Sequence, residues 1–152
     1  MNKLKIYCMC LDNEYLSTVK KLNYIPVGLK NENFSSEWIR DNTLDNISKK
    51  NPYYGEYTFY YWYWKNLLKK KSEDEWVGFC SYRELWGEHK NIKNKRSIRS
   101  LLKYLPSEWK NYDAVIGEPI DLEKPKFSKM LKHGKIAMLR NYKEIFRPKF
   151  SI

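Results

Sequence analysis

The sequence predicts an α/β fold with a mainly parallel sheet, because apolar extended segments alternate along the chain with segments of helical pattern. Strands are predicted at 4–11, 25–29, 76–80 and 112–117, and helices at 13–21, 53–70 and 97–105. The first strand contains a single charged residue, which is typical of parallel strands covered on both faces. With 152 residues, the chain is expected to form a single domain, 1–152.

In the first third of the chain, Asn13 follows the first strand and can cap the next helix. The second strand contains Pro26, which lacks a backbone N–H and therefore favours a sheet edge. Residues 30–51 are polar, and we expect an ordered loop there. The apolar side chains available to hold that loop by packing are Trp38, Ile39, Leu44 and Ile47.

The clearest helix is predicted at 53–70, after Pro52, whose fixed φ suits the first turn of a helix. Aromatic residues occupy nearly all of its sides, so we expect much of it to be buried. Farther along, the strand at 76–80 is expected to be central, and Pro106 ends the helix at 97–105. A last short helix is predicted at 125–132.

Composition narrows the classes of partner. The chain has 29 Lys and Arg against 18 Asp and Glu, a net charge of +11, and 13 Tyr, 6 Trp and 6 Phe. These features favour a partner that is nucleic acid, an anionic membrane surface or a phosphorylated small molecule.

No apolar run approaches the roughly 18 residues of a membrane span, and no signal peptide pattern is present, so the expected location is the cytoplasm. Three cysteines fit reduced core thiols.

Ligands of parallel sheets bind at the carboxyl ends of the strands. Here those ends are 11–13, 81–84 and 117–118, all of which contain polar residues. None of the common nucleotide-binding, hydrolase or metalloprotease motifs is present. The two histidines, His89 and His133, lie in polar surroundings and are expected at the surface.

Two blocks of sequence suggest a family. Residues 40–66, RDNTLDNISKKNPYYGEYTFYYWYWKN, and 76–86, WVGFCSYRELW, resemble the DUF4422 family of bacterial capsular and exopolysaccharide glycosyltransferases. The segments at 24–28 and 112–116 resemble the family more weakly. The residues that match the family pattern are Arg40, Asp41, Asp45, Asn46, Ile47, Ser48, Asn51, Glu56, Thr58, Tyr61, Trp62, Trp64, Lys65, Asn66, Gly78, Tyr82 and Arg83.

The resemblance implies a GT-A-like, Rossmann-type fold. It also implies transfer of a sugar from a nucleotide-sugar donor to a surface or capsular glycan, free or lipid-linked. The chain departs from the family pattern at Ser81, where the family has His, and at Glu84, where it has a second Arg. It also ends sooner than such enzymes usually do, so the part that binds the acceptor is expected to be short.

Candidate site residues follow from the resemblance and from their chemistry. If the reaction inverts, a carboxylate serves as base, and the sequence leaves Asp12, Asp45, Glu56, Glu84 and Asp113 open. The predicted catalytic residues are Asp45, Glu56 and Glu84. The residues predicted to bind the donor are Asp12, Asn46, Ser48, Thr58, Trp62, Lys65, Tyr82 and Arg83.

No cofactor besides the donor is expected. Many GT-A enzymes hold the diphosphate through a metal on Asp-x-Asp, and this motif is missing after the strand at 76–80. Arg83 can replace the metal by pairing with phosphate oxygens in a bidentate way. Glu84 alone is a poor site for a divalent ion. We also expect Arg83 to lie beside the loop 45–48.

The sequence leaves two alternatives to the glycosyltransferase function open. A nucleic-acid-binding module fits the charge, but the aromatics are concentrated in a helix rather than among the basic residues 90–99. A glycan- or nucleotide-binding protein that kept the fold and lost the chemistry fits the changes at Ser81 and Glu84. The basic run 90–99 could also contact anionic lipid at the inner face of a membrane.

Overall fold

The computed structural model describes residues 3–30, 33–87 and 101–117. The chain divides into two compact units, Met1–Val115 and Ile116–Ile152. Of the second unit, the structure describes only residues 116 and 117. All the elements that follow belong to the first unit.

The described residues form a four-stranded parallel sheet, which confirms the predicted α/β, Rossmann-like fold. Its strands are β1 (Lys3–Cys10), β2 (Ile25–Gly28), β3 (Ile39–Arg40) and β4 (Glu75–Ser81), in the order β3-β2-β1-β4. The longest ladder joins β1 to β4, from Lys3 opposite Glu75 to Met9 opposite Ser81. The helices are α1 (Leu16–Lys21), α2 (Asn51–Tyr54) and α3 (Tyr57–Asn66). Short 3-10 segments lie at Asn13–Tyr15, Ser48–Lys50, Leu68–Lys70 and Ser107–Asn111.

The two faces of the sheet carry separate apolar cores, because successive side chains of a strand point to opposite faces. One core joins β1 to α1 and to Leu101 and Leu102; its strand residues are Ile6, Cys8, Cys10 and Cys80. The other joins β1 and β2 to α3, through Tyr7, Met9, Val27, Leu29, Phe59, Trp62 and Tyr63. Fully burying an aromatic side chain such as Phe59 contributes roughly 1.5–3 kcal/mol.

The single helix predicted at 53–70 is wrong. Gly55 has a φ of +54° and breaks it into α2 and α3, and glycine adopts this backbone conformation at little cost. Only one face of α3 is buried, with Phe59 and Trp62 in the core and Tyr57 and Trp64 exposed. The aromatic pattern therefore indicated the helix but overstated its burial.

Other local predictions fail in the second half of the described chain. Residues 112–117 are irregular rather than a strand, and residues 101–105 are not helical, because Leu101 forms a bridge with Gly87 instead. Residues 97–100 and the helix predicted at 125–132 lie outside the described residues, as does the basic run 90–99.

The strand order also departs from expectation. Pro26 lies in an internal strand rather than an edge strand; β3 pairs only with Val27 and Gly28, so no backbone partner opposes Pro26 on that side. Within the described residues, β4 forms an edge of the sheet instead of its centre. The loop predicted at 30–51 contains β3, and its Leu44 is exposed rather than packed.

A buried polar network ties β3 to the junction of α2 and α3. The Thr58 hydroxyl donates to Oδ2 of Asp41 at 2.6 Å, and Asn51 Nδ2 donates to Thr58 Oγ1 at 3.0 Å and to the Gly55 carbonyl at 2.8 Å. Asp41 and Thr58 are fully buried. Burial raises the pKa of Asp41, and the hydrogen bond from Thr58 opposes that shift. The network fixes the turn at Gly55 from which α3 starts.

Close packing at Gly28 gives a first prediction. A Cβ at this position would lie 2.5 Å from the Phe34 ring, so Gly28→Ala forces the ring or the strand to shift. We expect the free energy of unfolding to fall by about 1–3 kcal/mol, the usual cost of overpacking. Gly117→Ala adds a Cβ in open space and is the control for urea unfolding. Equal stability of the two variants would contradict the packing argument.

The buried carboxyl group of Asp41 gives a second prediction. Its pKa is raised in the folded state, so the folded protein holds this proton above the pH at which the unfolded chain, with an Asp pKa of about 3.9, releases it. The contribution of Asp41 to stability is therefore greatest at low pH and decreases as pH rises above about 4. Urea unfolding at several pH values should show a smaller decrease for Asp41→Asn than for the wild type. The control is Asp45→Asn, in an exposed part of the same segment; identical pH profiles for the wild type and Asp41→Asn would contradict the prediction.

Candidate functional site

A cleft of about 250 Å³ lies at the carboxyl ends of β1, β2 and β4, where ligands of parallel sheets bind. The ends of the three strands supply one part of its lining, and the junction between α2 and α3 supplies the other. The lining residues are Met9, Leu11, Leu29, Lys30, Asn51, Pro52, Gly55, Glu56, Tyr82 and Arg83. The cleft therefore combines apolar walls with two cations and one carboxylate.

Glu56 is the partly buried acid of this cleft. Burial raises its pKa, Arg83 opposes the shift, and Glu84 adds to it. Arg83 and Glu84 therefore act in opposite directions on the same carboxyl group. Glu56 immediately precedes α3, so the turn held by Asn51 determines where its carboxylate lies.

The Tyr82 and Tyr15 rings and the end of β4 position the Arg83 side chain. The Arg83 guanidinium lies 5.4 Å from the centre of the Tyr82 ring, and the Tyr82 ring packs on Tyr15 with 4.4 Å between ring centres. The backbone N–H of Tyr82 donates to the carbonyl of Met9 at 3.1 Å, which extends the β1–β4 pairing to the edge of the cleft. Ser81 and Glu84 then form a short antiparallel bridge, which turns the chain at Arg83.

Four of the residues predicted from the sequence lie at or beside this cleft. Glu56, Tyr82 and Arg83 line it, and Glu84 is close enough to influence the pKa of Glu56. Thr58 lies in the buried network behind the turn and contacts Asp41 instead of open space.

The loop 45–48, predicted to lie beside Arg83, contacts α3 instead. Asp45 lies against the far end of α3, where its Oδ1 accepts from the Tyr61 hydroxyl at 3.2 Å and its carbonyl accepts from Asn66 at 2.9 Å. Neither Asp45 nor any other residue of 45–48 lines the cleft that contains Arg83. The structure therefore does not bring Asp45 and Arg83 together.

The remaining predicted residues have local partners. Asn46 Oδ1 accepts from the backbone N–H and the hydroxyl of Ser48, an arrangement typical of a turn. The buried Trp62 donates its Nε1–H to the Thr43 carbonyl at 2.8 Å. Asp12 caps the segment Asn13–Tyr15 by accepting from the backbone of Glu14. Lys65 lies over the Trp64 ring, 4.0 Å from its centre.

Sequence reasoning missed Lys30, Asn51 and Asp41. Lys30 directly follows the second predicted strand. The rule that ligands bind at the carboxyl ends of parallel strands indicates Lys30 once this strand is counted among them. Asn51 and Asp41 match the family pattern, but nothing in the sequence indicates that Thr58 joins them.

The described residues show no convergent metal site. No group of three or more His, Cys, Asp or Glu side chains in 3–30, 33–87 and 101–117 could hold a metal ion. Asp113 lies instead on a groove of about 520 Å³ along β4. That groove is larger than the cleft, but the cleft is the candidate site because the ends of three strands meet there. No helix in the described part of the chain has the length and apolar content that a membrane span needs.

Comparisons with known proteins bear on the suspected family. The family model described as "Domain of unknown function (DUF4422)" matches residues 5–151. No curated protein and no solved structure matches the chain. The match extends over nearly the whole sequence, including both blocks that carry the resemblance and the ends of β1, β2 and β4. The chain therefore belongs to the DUF4422 family.

Proposed function

We propose that this protein is a glycosyltransferase that binds a nucleotide-sugar donor in the cleft at the carboxyl ends of β1, β2 and β4. The observation that supports the proposal best is the placement of Lys30, Arg83 and Glu56 around one cleft. Two cations suit a diphosphate, and a partly buried carboxylate beside them suits proton transfer.

The diphosphate is the group that the cations would hold. Arg83 presents a planar fork that can pair with two phosphate oxygens, and Lys30 supplies a point charge across the cleft. Leu11, which is 38% exposed, provides apolar surface for the base or the sugar ring. In this arrangement the phosphates need no Asp-x-Asp metal motif.

Glu56 would act as the base. An acceptor hydroxyl attacks the anomeric carbon, the bond from that carbon to the phosphate oxygen breaks, and its electron pair leaves with the nucleoside diphosphate. The hydroxyl proton passes to the Glu56 carboxylate. Burial raises the pKa of Glu56, which makes its ionised form a stronger proton acceptor. Arg83 and Lys30 stabilise the negative charge that develops on the leaving group.

The proposed acceptor is inferred from the family resemblance. It indicates a surface or capsular glycan, free or attached to lipid. Of the other predicted acids, Glu84 lies near Glu56 and can tune its pKa, whereas Asp45 does not line the cleft. We therefore assign the catalytic role to Glu56 rather than Asp45.

Arg83→Lys tests the diphosphate contact. Lysine keeps the charge but cannot form the bidentate pair, so donor affinity should fall by about 1.5–3 kcal/mol, roughly ten- to a hundredfold. Calorimetric titration with uridine and guanosine diphosphate sugars measures the change. Lys110→Arg, at an exposed position in the segment Ser107–Asn111, is the control. Unchanged donor binding by Arg83→Lys would show that Arg83 does not form the bidentate contact with the diphosphate.

The same titration with a chelator separates the two ways of holding phosphate. If the cations suffice, wild-type donor binding should change by less than about twofold when divalent ions are removed. Loss of binding would instead assign the diphosphate to a metal near Glu84.

Glu56→Gln tests the chemistry independently of binding. The amide is similar in shape but cannot accept the proton, so kcat should fall about 10²- to 10⁴-fold while the donor dissociation constant stays nearly the same. Glu108→Gln, an exposed acid outside the cleft, is the control. Donor binding without turnover in the wild type would favour the alternative suggested by Ser81 and Glu84, a binding protein that has lost catalysis.

A further inference from the structure

The outer face of α3 is unusually apolar for a surface helix. Tyr57, Tyr61 and Trp64 are spaced by four and three residues, so they share one face of the helix, opposite the buried Phe59. Tyr57 is 68% exposed and Trp64 is 54% exposed. We call these three residues the exposed stripe. Tyr61, between the other two, is half-buried beside Asp45. Singly exposed aromatics are ordinary, but two exposed rings with a half-buried third between them form a continuous surface along one helix face.

Two exposed leucines extend this surface. Leu68 follows α3 and is 45% exposed. Leu44 is 74% exposed and has a φ of +51°, a conformation that leucine rarely adopts. Its neighbours on both sides are fixed to α3, since Trp62 donates to the Thr43 carbonyl and Tyr61 donates to Asp45. The fold therefore holds an aliphatic side chain in solvent beside the exposed stripe.

Charge determines what kind of partner fits this surface. Residues 57–71 contain no acid and four lysines. Lys65, Lys69 and Lys70 are exposed, and Lys49 and Lys50 add two more charges in the segment that precedes α2. The acids nearest in sequence are Asp45, bonded to Tyr61, Glu56 in the cleft, and Glu73 and Asp74 beyond the lysines. The partner is therefore expected to be anionic.

Among anionic partners, the surface fits a lipid headgroup layer better than nucleic acid. Single-stranded nucleic acid stacks its bases on open aromatic faces, whereas Lys65 Nζ lies 4.0 Å from the centre of the Trp64 ring and covers one face. Leu44 and Leu68 offer nothing to a phosphate backbone but can enter the acyl boundary. Trp, Tyr and Leu beside Lys are the side chains that interfacial helices use.

We infer that the exposed stripe, with Leu44, Leu68 and the surrounding lysines, is a docking surface for an anionic membrane. The helix would lie in the plane of the interface, with Trp64 and the two leucines inserted and the lysines at the level of the headgroups. This inference does not depend on the proposed glycosyl transfer.

Vesicle sedimentation with the full chain tests the surface. We expect the wild type to bind vesicles of equimolar phosphatidylcholine and phosphatidylglycerol, and to bind pure phosphatidylcholine weakly. Trp64→Ser should lower the partition coefficient about tenfold, and Leu44→Ser should lower it severalfold. Lys65→Gln and Lys69→Gln should each lower it about fivefold. Both kinds of change affect exposed side chains, so circular dichroism should show an unchanged fold.

Matched controls come from another exposed pair, Lys103 and Tyr104, the latter 76% exposed. Lys103→Gln and Tyr104→Ser should leave vesicle binding unchanged. The inference is overturned if the wild type does not bind anionic vesicles, if Trp64→Ser binds as tightly as the wild type, or if Tyr104→Ser loses as much binding. It is also overturned if a single-stranded oligonucleotide displaces the protein from vesicles and Trp64→Ser weakens oligonucleotide binding equally; the surface would then be a nucleic-acid site.

Discussion

The hydrogen bond between the Thr58 hydroxyl and the Asp41 carboxylate joins the two halves of the candidate site. Asp41 follows β3 at one edge of the sheet, and Thr58 lies in the first turn of α3. A buried carboxyl group is costly unless it is hydrogen-bonded, so this contact requires the start of α3 to lie over the end of β3. Asn51 extends it to the carbonyl of Gly55 and so determines where Glu56 enters the cleft. Burial raises the pKa of Asp41, and the hydrogen bond from Thr58 offsets part of that shift.

Helix α3 performs different tasks on its faces and at its ends. Its inner face packs Phe59, Trp62 and Tyr63 on the sheet and fixes the helix in position. Its amino end presents Glu56 to the cleft. At its carboxyl end, Asn66 donates to the carbonyl of Asp45 and so holds the segment that contains Leu44. Because the inner face is rigidly packed, the outer aromatic face keeps a fixed orientation relative to the cleft. Donor binding and membrane docking would then take place on one stable element.

The cleft itself follows from parallel pairing. Parallel strands bring their carboxyl ends to one edge, so Leu11, Lys30 and Arg83 meet there although more than fifty residues separate the last two. The β1–β4 ladder is long, and the bond from Tyr82 to Met9 continues it past the end of β4. The position of Arg83 is therefore determined by backbone hydrogen bonds, and its neighbours by the turn at Gly55.

The sequence by itself determined the class of fold, the first two strands and β4, and it indicated that Tyr82 and Arg83 follow the end of β4, because apolar patterns and polar strand ends are local signals. It also predicted the family, since the matching residues are contiguous blocks. The tertiary structure decided what depends on distant contacts. The break at Gly55 needs the bond from Asn51, and Asp45 is absent from the cleft because Tyr61 and Asn66 hold it on α3. The exposure of Leu44 and Trp64 was also beyond the sequence, since apolar side chains predict burial unless the fold leaves no surface to cover them.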